Sequence, residues 1–483
     1  MNIILGGGLS GLAAGHTFTK AGAPTVILEK GETVGGLART VRHGDFKFDL
    51  GGHRFLSDNR ALKSLVADLL GPDLLTVPRT SQIYMAGKFY NYPLTPGNAI
   101  FGAGLGMTGR MLFDYGREKL TAGFSGRDMI SLEDWVVAQY GRTIFNLYFK
   151  EYSEKVWGIG CDRISMDWVA KRIDGLSLWQ NIRHALFKRK HRKAKTLTDN
   201  FLYPRHGIGE ISDKLKEYIQ AAAGNQVKTG ASVQKIISRG DRIETVVFET
   251  GDGQSAIEGE SYLSSIPLTT LIGRLHPRPP YTVLKAASEI RFRSLVIATL
   301  MLDREKLTDL TWMYLPGREI PFGRIHEPKN WSPDMAPDGK CHVVAEFFCN
   351  TNDRIWNTAD DALAAAVAEH LQRLGFLEPR ELIDFRVLRI PYAYPVFSVG
   401  YEKHVKTIID YLDHFRNLHL IGRSGRYSYL NMNHAMESGI ETATGLLAGS
   451  CRQTLDEPSK AANKRPADRQ LFCQYGARKR NSI

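Results

Sequence analysis

Three glycines near the start of the chain, Gly6, Gly8 and Gly11, have the G-x-G-x-x-G spacing that brings backbone close to a pyrophosphate. Gly6 allows the tight turn, Gly8 leaves room for the phosphate, and Gly11 lets the next helix pack closely on the strand before it. Ile3, Ile4 and Leu5 precede them as an apolar strand. Leu12, Ala13, Ala14 and Gly15 open a helix whose N-terminal N–H groups would face the anion. A second strand, Thr25–Leu28, ends in Glu29, 18 residues after Gly11, where a carboxylate can meet a ribose hydroxyl. Strand, glycine turn, helix, strand and acid in that order predict a dinucleotide site.

No Ser-His-Asp order, pair of catalytic carboxylates or metal-ligand cluster stands out elsewhere. The chemistry is therefore expected from a bound cofactor, with protein groups binding and orienting. Just past Glu29 and Lys30, the run Gly35-Gly36-Leu37-Ala38-Arg39 suits a further phosphate contact. Phe46, Phe48 and Leu50 alternate with Lys47 and Asp49, which predicts a strand delivering Gly51-Gly52-His53. Two glycines there let the backbone lie close to a flat ring.

The elements that must position these residues are bounded by composition. A chain of 483 residues, 43% hydrophobic and 24% charged, suits a soluble globular protein of two or three domains. No apolar run approaches the ~20 residues of a membrane span, and with the glycine turn beginning at residue 6 the first residues are expected to be strand and not a signal peptide. Five scattered cysteines without C-x-x-C read as reduced thiols, so a cytoplasmic protein without zinc or disulfides is expected. The net charge is +12, of which +5 lies in a tail after Cys451 that is poor in apolar residues and expected to be disordered. A second basic run spans Lys188 to Lys193. Neither run has the aromatic interleaving of a nucleic-acid site; contact with a phosphorylated substrate or a membrane surface stays open.

In chain order, residues 1–75 are expected to form the first nucleotide-binding segment. Segments 76–98 and 285–405 read as a mainly antiparallel sheet domain, with a hairpin at Ala86-Gly87, strands near 295–302, 311–314, 342–348 and 385–390, and a helix over 361–374. Residues 99–200 read as a helical insertion, with Ser131 capping Leu132–Tyr140 and further helices over 143–153 and 165–186. Segments 201–284 and 406–450 return to the nucleotide-binding domain and end in a helix over 431–447; residues 451–483 are the tail. The fold class is α/β, with a Rossmann-like domain discontinuous in sequence.

The run from Glu29-Lys30 through Gly35-Gly36 to Thr40 resembles the FAD-binding pattern of amine oxidases, protoporphyrinogen oxidase and UDP-galactopyranose mutase. Most similar is the mutase group, and the similarity extends to about Ala448. Tyr152-Ser153-Glu154-Lys155-Val156-Trp157 resembles its N/S-x-K-V-W segment, with Arg172 fifteen residues beyond Trp157. Trp312-Met313-Tyr314 is followed ten residues later by Arg324, a Tyr-Pro pair stands at Tyr394-Pro395, and a G-R…Y…N-x-D-like segment runs from Gly422 and Arg423 to His434. Asn433 stands where the group usually has Asp, Ser153 stands where Asn is common, and the shorter segment after Gly422 leaves Tyr427 and Tyr429 both open as the phosphate-facing tyrosine.

This resemblance implies FAD held by Gly6, Gly8, Leu9, Ser10, Gly11, Glu29, Lys30, Gly36, Leu37, Ala38, Gly51, Gly52, His53, Val233, Gly422, Arg423, Asn431, Met432 and Asn433. It implies a substrate site of Tyr92, Trp157, Arg172, Tyr314, Arg324, Tyr394, Tyr427 and Tyr429, with His53, Arg172 and Arg324 closest to the chemistry. Guanidinium groups bind phosphate oxygens bidentately and phenols donate without adding charge, so such a set suits a diphosphate. The implied reaction is pyranose–furanose interconversion of a nucleotide sugar, in which N5 of reduced flavin attacks the anomeric carbon. NAD(P)H or another reductant would supply electrons. The alternative is an FAD-dependent oxidoreductase of the amine oxidase, protoporphyrinogen oxidase or desaturase type.

Overall fold

The computed structural model describes residues 1–92, 104–122, 129–166 and 200–449. Arg172, the helix expected over 165–186 beyond Met166, the basic run at 188–193 and the tail lie outside these residues.

Five parallel strands carry the glycine turn. Their order is Leu418–Leu420, Ser261–Ser264, Asn2–Leu5, Thr25–Leu28 and Gln226–Lys228. Ile4 sits between Leu263 and Ile27, all three fully buried, so the central strands are apolar on both faces as parallel strands require. The helix Leu9–Lys20 packs on this sheet between two others, Glu210–Ala221 and Met432–Leu447. Small residues permit the approach: a Cβ on Gly15 would lie 2.8 Å from Ile27 Cδ1, and one on Gly439 would collide with the Ser10 carbonyl.

A seven-stranded sheet faces the glycine-rich end of this layer. Its order is Leu382–Pro395, Phe292–Leu302, Cys341–Cys349, Arg324–His326, Trp312–Tyr314, Ser81–Met85 and Lys88–Asn91. Every pairing is antiparallel except that of Trp312–Tyr314 with Ser81–Met85. Its central strands are covered on both faces. Val296, Ala298 and Leu300 pack with Leu363, Val367 and Leu371 of the helix Asp360–Arg373, while Leu295, Ile297 and Met301 pack with Phe48 and Leu50. That second contact lodges the strand Phe46–Asp49, and so the glycines after it, against the sheet.

The helical part contains Leu105–Ala122 and Leu132–Tyr140. Ser131 caps the second with a reciprocal box: its Oγ accepts from Asp134 N, and the Asp134 carboxylate accepts from Ser131 N, each at 3.1 Å. The helix expected over 143–153 is longer and irregular. It runs as Arg142–Ile144, a π-helical turn Phe145–Lys150, and Glu151–Trp157, ended by Gly158 at φ +69°. The widened turn shifts the apolar face by one residue, which a 3.6-residue period does not express. Among the described residues, no helix is long and apolar enough to cross a membrane, and no group of three or more His, Cys, Asp or Glu is placed to hold a metal ion.

Candidate active site

At the nucleotide end, Gly6 adopts φ +105°, and a Cβ there would run into Ser265 Oγ. A Cβ on Gly11 would run into the Gly6 carbonyl oxygen. Gly8 differs: a Cβ there meets nothing nearer than Gly36 Cα at 4.0 Å. The two glycine turns are joined beside it, with Gly35 N donating to Gly7 O at 2.8 Å. The helix Leu9–Lys20 begins without a side-chain cap, and so does Met432–Leu447 after Asn431. Two uncapped helix N-termini beside open glycine backbone fit an anionic dinucleotide. Glu29 closes the turn by accepting from Gly7 N at 2.7 Å and Gly31 N at 2.8 Å. Each carboxylate oxygen keeps a lone pair for a ribose hydroxyl. Ala231 N donates to Glu29 O at 2.8 Å, bringing the segment before Val233 to the same edge.

The next part is the shelf made by Gly51, Gly52 and His53. Asp49 anchors it, accepting from Thr40 Oγ1 and the Tyr203 hydroxyl at 2.6 Å each and from Ile208 N at 3.2 Å. Burial nevertheless pushes the Asp49 carboxyl up to about 6. Gly51, at φ +128°, turns the chain, and Gly52 N donates to Glu346 Oε1 at 3.1 Å. His53 Nδ1 is buried without a hydrogen-bond partner among the described residues. Burial first, then the Arg423 and Arg324 guanidinium groups, hold its imidazole at about 3, so it is neutral at ordinary pH.

Facing the shelf is a wall of tyrosines and arginines. Arg324 pairs with Glu346 and donates to the Tyr394 hydroxyl at 3.2 Å. Burial works against its charge, but Glu346 and the surrounding phenols more than offset that and hold the guanidinium well above its usual value. Tyr394 and Tyr429 stack with centroids 6.3 Å apart, and Arg423 lies over both rings at 5.4 and 5.1 Å. Arg423 is fixed by Leu430 O, which accepts from its Nε at 2.7 Å. Trp157 meets Tyr394 edge-on and lies tilted against Tyr429. On the other side of Arg324, Tyr314 packs against Tyr92 at 4.9 Å and edge-on against Tyr152 at 5.7 Å. Burial raises the Tyr152 and Tyr314 hydroxyls, so both stay phenols that can donate.

The structure thus brings His53, Tyr92, Trp157, Tyr314, Arg324, Tyr394, Arg423 and Tyr429 around one space. Tyr427 is a correction. Its hydroxyl is directed into the core, where Arg291 O and Val396 O accept from it at 2.7 and 2.8 Å, and its ring is 2% exposed. Positive φ at Tyr427 (+47°) sends the two tyrosines to opposite sides, leaving Tyr429 in the site. Residues outside the expected set also belong to the wall. They are Glu346, Tyr152, and the Arg54 and Arg79 guanidiniums, both stacked on Trp312. Glu346 had a signal, being the one acid in the apolar run from Val343 to Cys349; Arg54 and Arg79 had none.

Two glycine turns that suit an anionic dinucleotide, a glycine shelf open to a flat ring and a wall of arginines and tyrosines fit an FAD-type flavoprotein. The chain belongs to the flavin containing amine oxidoreductase family, which it matches over residues 9–447. The family implies FAD, and the site described here fits it. Protoporphyrinogen oxidase 1, chloroplastic, of Arabidopsis thaliana is 22% identical over 431 residues, covering 83% of this chain and 79% of the relative. The crystal structure of reduced UDP-galactopyranose mutase superposes with a TM-score of 0.82 at 20% identity, over 96% of this chain and 97% of that one. Putrescine oxidase bound to putrescine superposes with a TM-score of 0.62 at 16% identity, over 92% and 98%.

Proposed function

We propose that the protein is a flavin-dependent nucleotide-sugar mutase or a close relative acting on a sugar diphosphate. The observation that carries this reading is the convergence of Arg324, Arg423 and the Tyr152, Tyr314, Tyr394 and Tyr429 rings on the space in front of the Gly51–His53 shelf. Such a lining suits phosphate oxygens. It disfavours an ammonium substrate, which two guanidinium groups would repel.

In this reading Arg324, Tyr314 and Tyr394 hold the diphosphate and take up the charge it gains as the bond to the anomeric carbon breaks. The resemblance to the mutase group implies Arg172 as a further guanidinium on the diphosphate. Neutral His53 borders the ring without adding a charge that would compete for the anion. Reduced flavin, when bound, supplies the nucleophile. NAD(P)H or another reductant is then needed to prime the protein and not in each turnover.

A second reading is an oxidoreductase of an anionic substrate. The similarity to a protoporphyrinogen oxidase over 83% of this chain favours it, since Arg324 would bind a carboxylate as well as a phosphate. Incubating dithionite-reduced protein with a panel of UDP-sugars separates the two. The mutase reading expects a ring isomer of one sugar to form with no reductant consumed per product. Product formed only by oxidised protein, with two electrons passed to the flavin each time, supports the second reading.

A further inference from the structure

The loop between Tyr314 and Arg324 is closed from beneath by one side chain. Lys155 Nζ donates to the carbonyl oxygens of Leu315 at 2.7 Å, Gly317 at 2.5 Å, Ile320 at 2.9 Å and Phe322 at 3.4 Å. An ammonium has three protons, so these four oxygens fully surround it. The lysine's own backbone is pinned as well: Arg293 donates to Lys155 O at 3.1 Å, Val156 O at 3.0 Å and Phe348 O at 3.0 Å. On the outside of the loop, Arg318 pairs with Glu154 at 2.6 Å. The same short helix carries Tyr152 and Trp157 into the site.

We propose that Lys155 is a positioning residue whose ammonium, set in this ring of carbonyls, fixes the 315–323 loop and thereby the separation of Tyr314 and Arg324. The proposal rests on the reading of those two residues as diphosphate ligands. It also makes the site sensitive to alkali. Burial lowers the Lys155 ammonium to about 8, although the Glu319 and Glu151 carboxylates favour the charge. The other charged groups around it are Glu154 on its own helix, Arg318 on the loop, and Arg293, itself paired with Asp353. Because the folded value lies below the ordinary one, the proton is lost as pH rises through about 8. The neutral amine then has two protons and no charge for four inward-facing carbonyl dipoles, and the loop loosens.

The test uses full-length holoprotein as wild type, Lys155→Met and Lys155→Arg. Hydrogen exchange of the 315–323 amides is followed by mass spectrometry, and UDP is titrated by flavin absorbance from about pH 6.5 to 9.5. Lys155→Met is expected to keep its FAD, exchange the loop at least about tenfold faster and bind UDP about tenfold more weakly, the scale of losing a hydrogen bond to a charged group. Wild type should lose UDP affinity above about pH 8, and Lys155→Arg, charged throughout, should keep the loop protected and remove that inflection. Wild-type loop protection in Lys155→Met, or an unchanged alkaline inflection in Lys155→Arg, overturns the proposal. Should wild type bind no UDP at any pH while the loop opens in Lys155→Met, the diphosphate reading fails and the hold of Lys155 on the loop stands.

Discussion

Arg324 and Glu346 are direct partners in the antiparallel pairing of Arg324–His326 with Cys341–Cys349, and their side chains meet as an ion pair at the centre of the site. Glu346 is 1% exposed, and its other oxygen accepts from Gly52 N. One carboxylate therefore balances the Arg324 cation and holds the Gly52 backbone of the shelf. Removing it leaves an uncompensated guanidinium beneath the pocket. Glu346→Ala should lower unfolding free energy by about 3 kcal/mol, the scale for breaking a buried pair, as denaturant titration would measure. Glu346→Gln, which keeps an acceptor for Gly52 N, should retain more FAD than Glu346→Ala.

The glycines make a sharper distinction. Gly8→Val should give folded protein without FAD, because its Cβ meets nothing nearer than Gly36 Cα at 4.0 Å while the side chain would occupy the place expected for the pyrophosphate. Gly11→Val should fail earlier, as its Cβ strikes the Gly6 carbonyl and the helix cannot seat on the strand. Circular dichroism with flavin absorbance separates the outcomes. A Gly8→Val protein that stays yellow would contradict the placement of the cofactor.

Tyr427 and Tyr429 should separate stability from binding. Tyr427→Phe leaves Arg291 N, which donates to its hydroxyl at 3.2 Å, without that acceptor and removes the hydroxyl's hold on the Arg291 and Val396 carbonyls, and should cost about 1–3 kcal/mol of stability, with UDP affinity unchanged. Tyr429→Phe should do the reverse. Thermal unfolding and UDP titration of both variants check this, and equal effects on binding would contradict the assignment.

Asp49 predicts a pH effect. Its folded value, about 6, lies above the ordinary 3.8, so the cost of burying its charge is present above about pH 6 and disappears as pH falls towards 3.8. The difference between wild type and Asp49→Asn isolates this term, since the buried histidines titrate alike in both. Wild type should gain roughly 2 kcal/mol relative to the variant between about pH 7 and pH 4. A pH-independent difference in urea titrations would show that Asp49 does not titrate with folding.

The parts that were legible in the sequence are those set by local spacing. Gly6, Gly8, Gly11 and Glu29 belong to one strand–helix–strand unit, and the alternation from Phe46 to Leu50 marks the strand that delivers the shelf. What was not legible depends on register and backbone turns. The pairing of Arg324 with Glu346 follows from how two strands align, and neither side chain names its partner. The choice of Tyr429 over Tyr427 follows from one positive φ. The four carbonyls around Lys155 belong to residues whose side chains do not enter the contact at all.

In the proposed function, the space in front of the shelf binds a diphosphate through Arg324. Titrating wild type and Arg324→Ala with UDP, in oxidised and reduced states and with flavin absorbance as readout, tests it most directly. The account predicts saturable binding to wild type and a loss of about 1.5–3 kcal/mol in Arg324→Ala, with FAD occupancy unchanged. Absence of UDP binding in both redox states, or equal binding by Arg324→Ala, would contradict it.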